Sequence, residues 1–130
     1  MPQTRDSGVV LSEFYYFHKA DVVETLFQFG LYSDAKNLLT NIIEDIHGFG
    51  DRATRNKIRV LMKVVKTMTQ IDYMGDFSNI ILEAYELAHG YNSNYKYAYL
   101  NKAEMLSIFA SELSGIMDTD KSRKFLLNKL

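Results

Sequence analysis

The chain has 130 residues, enough for one domain with its own core and no metal or disulfide staple. Apolar residues make up 47% and charged ones 24%, with a net charge of -1, so the composition suits a globular protein and argues against a wholesale polyanion binder. Cysteine is absent, which excludes disulfides, thiolate catalysis and cysteine-ligated zinc or iron–sulfur clusters.

The start, Met1 to Asp6, lacks an apolar signal region, and no apolar run reaches membrane-spanning length. A cytoplasmic protein with no membrane partner is the expectation. Residues 1–10 are polar and read as a loosely ordered lead, followed by a single all-α domain over 11–130. Pro2 is the sole proline, which favours long uninterrupted helices, because proline removes a backbone donor and clashes with the turn before it.

Ser12 before Glu13 suits a helix start, since a serine oxygen can accept from an otherwise orphan amide. The first helix then runs to Phe29. Phe14, Val22, Leu26 and Phe29 lie on one side and Tyr16, Val23 and Phe27 on the other. A helix this apolar around its circumference is sandwiched or offers a second face to a partner. His18 is expected to pack with Phe14 and Tyr15.

The second helix spans about Ser33 to Ile46, with Ala35, Leu38, Leu39, Ile42, Ile43 and Ile46 in one sector. Gly48-Phe49-Gly50 stops it, and Asp51 caps a third helix over roughly Arg52 to Asp72. Gly75 and Asp76 turn the chain into a fourth, with Phe77, Ile80, Ile81, Ala84, Tyr85 and Ala88 inward. A polar break over Gly90 to Asn94 precedes a fifth helix reaching about Leu113. A short sixth starts near Asp120 and leaves Phe125, Leu126, Leu127 and Leu130 without a downstream cap, so either it folds back onto the fifth helix or a second copy of the chain or another partner covers it.

The spacing therefore predicts about six helices in three antiparallel hairpins, repeat-like, with an irregular helical bundle as the alternative. In the first hairpin a turn glycine, an aromatic, a small residue and two packing residues occur at Gly30, Tyr32, Ala35, Leu39 and Ile42. In the second, Gly75, Phe77, Ile80, Ala84 and Leu87 follow the same frame, and near the end Ser122 and Leu126 are in register. These positions resemble the tetratricopeptide repeat, a family of stacked helical hairpins, with a spacing of 45 residues between Gly30 and Gly75 against the family unit of about 34. The resemblance covers about half of the chain and implies a groove that binds peptides or other proteins.

The sharpest surface feature is the row Arg52, Arg55, Arg59, Lys63 and Lys66. At 100° per residue it occupies an arc of roughly 80° over about 21 Å of the third helix. No acidic residue interrupts Arg52 to Ile71, and Lys57 adds charge on another side. Such a row repels itself and invites negative neighbours. Three accounts compete: pairing with acids of adjacent helices (Glu13, Asp21, Glu24, or Glu83 and Glu86), plain solvation, or contact with an acidic partner or nucleic-acid phosphates. Tyr91, Tyr95, Tyr97 and Tyr99 interleave with Lys96 and Lys102, which suits stacking on single strands but also hairpin packing.

Two Glu-x-x-His sequences, Glu44 to His47 and Glu86 to His89, match one part of a di-iron carboxylate site. The third helix supplies no glutamate, and Glu44 and Glu86 point away from the apolar arcs of their helices. No phosphate-cradling glycine loop is present. No catalytic residue, metal or cofactor is therefore expected. The function expected is protein–protein interaction, as a small adaptor or regulator. It would use a helical groove and the basic helix face, with Arg52, Arg55, Arg59, Lys63, Lys66, Phe27 and Met62 contacting an acidic partner. The alternative is nucleic-acid binding through Arg52 to Lys66.

Overall fold

A computed structural model describes residues 12–48, 54–71, 77–90 and 98–117, with the side chains of Phe77 and of residues 98–101 left aside. Its described residues form five helices and no strand: α1 (Glu13–Gln28), α2 (Tyr32–Gly48), α3 (Thr54–Gln70), α4 (Phe77–His89) and α5 (Ala98–Met117). The all-α reading holds. The sixth helix, the lead over residues 1–10, and Gly75 lie outside the described residues. None of these helices is long and apolar enough to cross a membrane.

Helix α1 begins as its cap residue dictates: the Ser12 hydroxyl accepts from the Tyr15 amide at 3.3 Å. It ends on Gly30, whose φ of 81° lies in the left-handed region. Two bonds close this end, Gly30 N–H to the Phe27 carbonyl at 3.0 Å and Leu31 N–H to the Leu26 carbonyl at 2.9 Å. That pattern satisfies two carbonyls the helix would otherwise orphan. The Leu31 carbonyl then accepts from Ala35 and opens α2. The turn is only Phe29 to Leu31, so α1 and α2 run antiparallel. Tyr16 near the start of α1 donates to Asp45 Oδ2 near the end of α2 at 3.1 Å, and the Phe27 and Tyr32 rings meet at 4.8 Å at the other end.

One core draws on all five helices. Ala35, Leu39, Ile42 and Ile46 fill it from α2, Ile80, Ala84 and Ala88 from α4, and Met105 and Ile116 from α5. Helix α1 contributes Tyr16, Ala20 and Val23, which decides its inner side: Phe14 is 83% exposed and Phe29 77%. His18 is exposed and not packed in an aromatic cluster.

Helix α3 lies at the centre and packs against every other helix. Ile58, Val60, Leu61, Met62, Val64, Val65 and Met68 are buried, spread over most of its circumference. Lys57, at the back of the basic row, is buried too. Buried Thr67 and Thr69 donate to the carbonyls of Lys63 and Lys66, at 3.0 and 2.7 Å, so their hydroxyls enter the core satisfied. Around this axis α1 lies on one flank and α5 on the other, with α2 against α1 and α3, and α4 against α3 and α5.

Two stability outcomes follow. Gly30→Ala lowers unfolding free energy by about 1–2 kcal/mol, because a side chain there meets no neighbour but strains a left-handed backbone, whereas Gly30→Asn costs less. Leu61→Ala, at the centre of α3, costs about 2–5 kcal/mol, whereas Leu82→Ala on the 53% exposed side of α4 stays within about 0.5. Urea denaturation of the four variants checks both.

Candidate binding groove between α1, α3 and α5

The basic row follows from the helical period of α3, which brings Arg55, Arg59, Lys63 and Lys66 to one stripe. Because α1 and α5 flank that stripe, their carboxylates meet it. Lys63 Nζ lies 3.0 Å from Asp21 Oδ1, Arg59 Nη1 lies 3.6 Å from Glu13 Oε2, and Arg59 Nε lies 3.9 Å from Glu112 Oε2. Arg55 pairs with Glu104. The pairs advance together along the helices, from Glu13 to Asp21 on α1 and from Glu104 to Glu112 on α5, so α1, α3 and α5 run parallel. On each flank the acids stand about 12 Å apart along the axis, whereas the cations they meet stand about 6 Å apart. The long cationic side chains splay to reach them.

Pairing within the fold is therefore the main fate of the row. The acids include two expected from the sequence, Glu13 and Asp21. Glu83 instead meets His47, whose Nε2 sits 2.9 Å from Oε1 and 2.8 Å from Oε2, joining α4 to the end of α2. Among the described residues, Lys66 is exposed and has no carboxylate partner. Arg52 lies outside the described residues, as do Tyr91, Tyr95, Lys96 and Tyr97.

Two anchor assignments need correction. Met62 is 1% exposed, so it does not project from the surface: α1 and α5 close over its side of α3. Phe27 is half-buried against the core and the Tyr32 ring, beside the turn of the first hairpin. The apolar groups that do stand out are Phe14, Phe29, Leu31 and Tyr32 around α1 and its turn, with Leu82 and Tyr85 on α4.

The same packing leaves a groove of about 310 Å³ beside the row. Phe17 of α1, Met62 of α3 and Ile116 of α5 are its apolar part. Arg59, Lys63 and Lys66 enter from α3, and Ser111, Glu112 and Gly115 from α5. A second hollow of about 290 Å³ adjoins it and shares Arg59, Ser111 and Glu112, adding Ser107 and Ile108. Arg59 is the cation common to both, and its Nε is buried without a hydrogen-bond partner. The 3.9 Å approach of Glu112 supplies charge proximity but is too long for a hydrogen bond. Gly115 keeps one wall low, since a β-carbon added there meets nothing within 4 Å.

Met62 thus stays with the basic row, as a groove wall and not a projecting anchor. Sequence reading missed Phe17, Ser111, Glu112, Gly115 and Ile116. A signal for Glu112 existed: Glu104 and Glu112 repeat the eight-residue spacing of Glu13 and Asp21. Elsewhere, Glu44 and Glu86 are exposed, and no group of three or more potential metal ligands forms among the described residues.

The ion pairs hold alignment more than stability, because partly exposed pairs are screened by water. A double-mutant cycle on Lys63→Ala and Asp21→Ala should give a coupling of about 0.2–1 kcal/mol, given that Asp21 is 62% exposed. A coupling above about 2 kcal/mol in urea denaturation contradicts this account.

Comparison with family models, with curated proteins and with solved structures finds no match to this chain.

Proposed function

We propose that this chain is a protein-interaction module, an adaptor or regulator that receives a segment of another protein in the groove between α1, α3 and α5. The observation that carries the reading is the composition of that groove: half-buried Phe17 over the buried side chains of Met62 and Ile116, beside the cations Arg59, Lys63 and Lys66. An apolar side chain of a partner gains burial there, and an acidic neighbour gains a cation, so one short segment satisfies both. The parallel run of α1, α3 and α5 supports a tetratricopeptide-like stacking of hairpins, a resemblance that itself implies a groove for peptides or proteins. The mechanism is occlusion or scaffolding, with no bond made or broken, and it operates in the cytoplasm.

Nucleic-acid binding is the weaker reading because of charge arithmetic. Arg55, Arg59 and Lys63 are paired with carboxylates of the fold, which leaves Lys66 as the free cation of the described row. The described row then offers about one phosphate contact, and an oligonucleotide complex made through it has a log–log salt slope of about -1.

Reversing Arg59 or Lys63 is a poor test, since it sets like charges beside Glu13, Asp21 and Glu112. Two other variants leave the core intact. Lys66→Glu reverses the exposed cation, and Gly115→Leu fills the groove while improving helix propensity. Affinity capture from a nuclease-treated lysate should retain a stoichiometric protein with the parent chain and lose it, at least tenfold, with either variant. Retention unaffected by both variants removes the groove from the account. Recovery of nucleic acid alone, abolished by nuclease, replaces the reading with the second one.

A further inference from the structure

The groove contains an arginine that is held but not satisfied. Arg59 stands between two carboxylates, Glu13 Oε2 at 3.6 Å and Glu112 Oε2 at 3.9 Å, and neither is within hydrogen-bond reach. A guanidinium is a planar fork that normally takes a carboxylate side-on through two short bonds. Its Nε here is buried and unpartnered. Glu112 is 35% exposed and sits on the wall shared by the two hollows. Ser111, a hydroxyl donor, and Lys66, a cation without a carboxylate, line the same groove.

We infer that Glu112 is a built-in competitor for this groove: it neutralises Arg59 in the free protein and yields it to a carboxylate carried by a partner segment. The inference rests on the groove reading above and names its occupant, a stretch of a partner protein in which an aspartate or glutamate adjoins a leucine- or phenylalanine-like side chain. The apolar side chain lies on Phe17, Met62 and Ile116. The carboxylate reaches Arg59 Nε, with Lys66 and Ser111 beside it. Charge complementarity selects a carboxylate over a phosphate. With Glu13, Asp21 and Glu112 beside Arg59, Lys63 and Lys66 the set is neutral; once Glu112 turns away it carries one net positive charge, which a single carboxylate matches and a dianion exceeds.

A competitor of this kind raises specificity at the expense of affinity. A purely apolar segment would bury Arg59 and Glu112 together without improving their long contact. An acidic segment alone exchanges one carboxylate for a better placed one.

The test is fluorescence anisotropy with a labelled peptide alternating glutamate and leucine, and its glutamine–leucine counterpart as control probe. Glu112→Gln should bind the acidic probe about threefold or more tighter than the parent chain, with the control probe unchanged. Glu104→Gln removes the same charge from α5 beside Arg55, outside the groove, and should leave affinity unchanged. Glu112→Asp keeps the charge but withdraws it from Arg59 by one methylene, and should tighten binding by an intermediate factor. Equal tightening by Glu104→Gln and Glu112→Gln means that net charge alone is acting, and overturns the competitor role. So does unchanged or weaker binding by both Glu112 variants while the parent chain still binds, an outcome that leaves the groove reading standing. If no version binds the acidic probe, the occupant is wrong, and the groove itself is judged by partner capture with Gly115→Leu.

Discussion

The structure depends on placing a helix with a basic stripe in the middle of a helical domain. A central helix touches neighbours on nearly every side and is ordinarily apolar all round. Helix α3 meets that demand with Ile58, Leu61, Val64, Val65 and Met68, yet Arg55, Arg59 and Lys63 interrupt it. Its cations remain at the margin between α1 and α5, partly in water, where carboxylates from both flanks reach them. Desolvation is thereby limited, because no charge of the stripe is taken fully out of solvent. The pairs fix which helix lies beside α3 and in which direction, more than they add to stability.

This arrangement also explains why a groove exists at all. Helices α1 and α5 approach α3 through carboxylates and long cationic side chains in this sector, in place of close-packed aliphatic ones. Splayed side chains do not fill space as Leu or Ile would, and Gly115 removes one more side chain from the wall. What remains is a hollow with apolar walls and charged edges. The same charges that orient the flanking helices therefore line the hollow.

The local signals were legible in the sequence, and the reciprocal ones were not. Gly30 announced a turn, and the structure shows a left-handed residue with two closing backbone bonds, a result of chemistry confined to a few neighbours. The burial of Ala35, Leu39, Ile42, Ile80, Ala84 and Ala88 followed from a helical period. The two-sided first helix showed where that method stops. Phe14 and Phe29 are as apolar as Phe17 and Phe27, but periodicity cannot say which side of α1 meets α3. Met62 failed for the same reason, since a position near a basic row looks exposed until a neighbouring helix is placed over it. Glu104 and Glu112 repeat the spacing of Glu13 and Asp21, but that spacing gains a meaning only once α5 lies parallel to α3.

The proposed groove is built from such reciprocal contacts, and a ligand entering it would act on them. Arg59 is shared between α1 and α5, through Glu13 and Glu112, and belongs to both hollows. Any ligand that takes Arg59 loosens one of those ties, and the helix it releases is a wall of the groove itself. Helix α5 is tied to the core by buried Met105 and Ile116 and by the partly buried Leu106, Phe109 and Leu113. It also packs on α4, where the Tyr85 and Phe109 rings meet at 5.7 Å. That contact can hold the helix in place when its ionic tie to α3 is surrendered. Under the proposed reading, occupancy of the groove would be coupled to how firmly α5 is held on α3, through differential contacts made by one arginine.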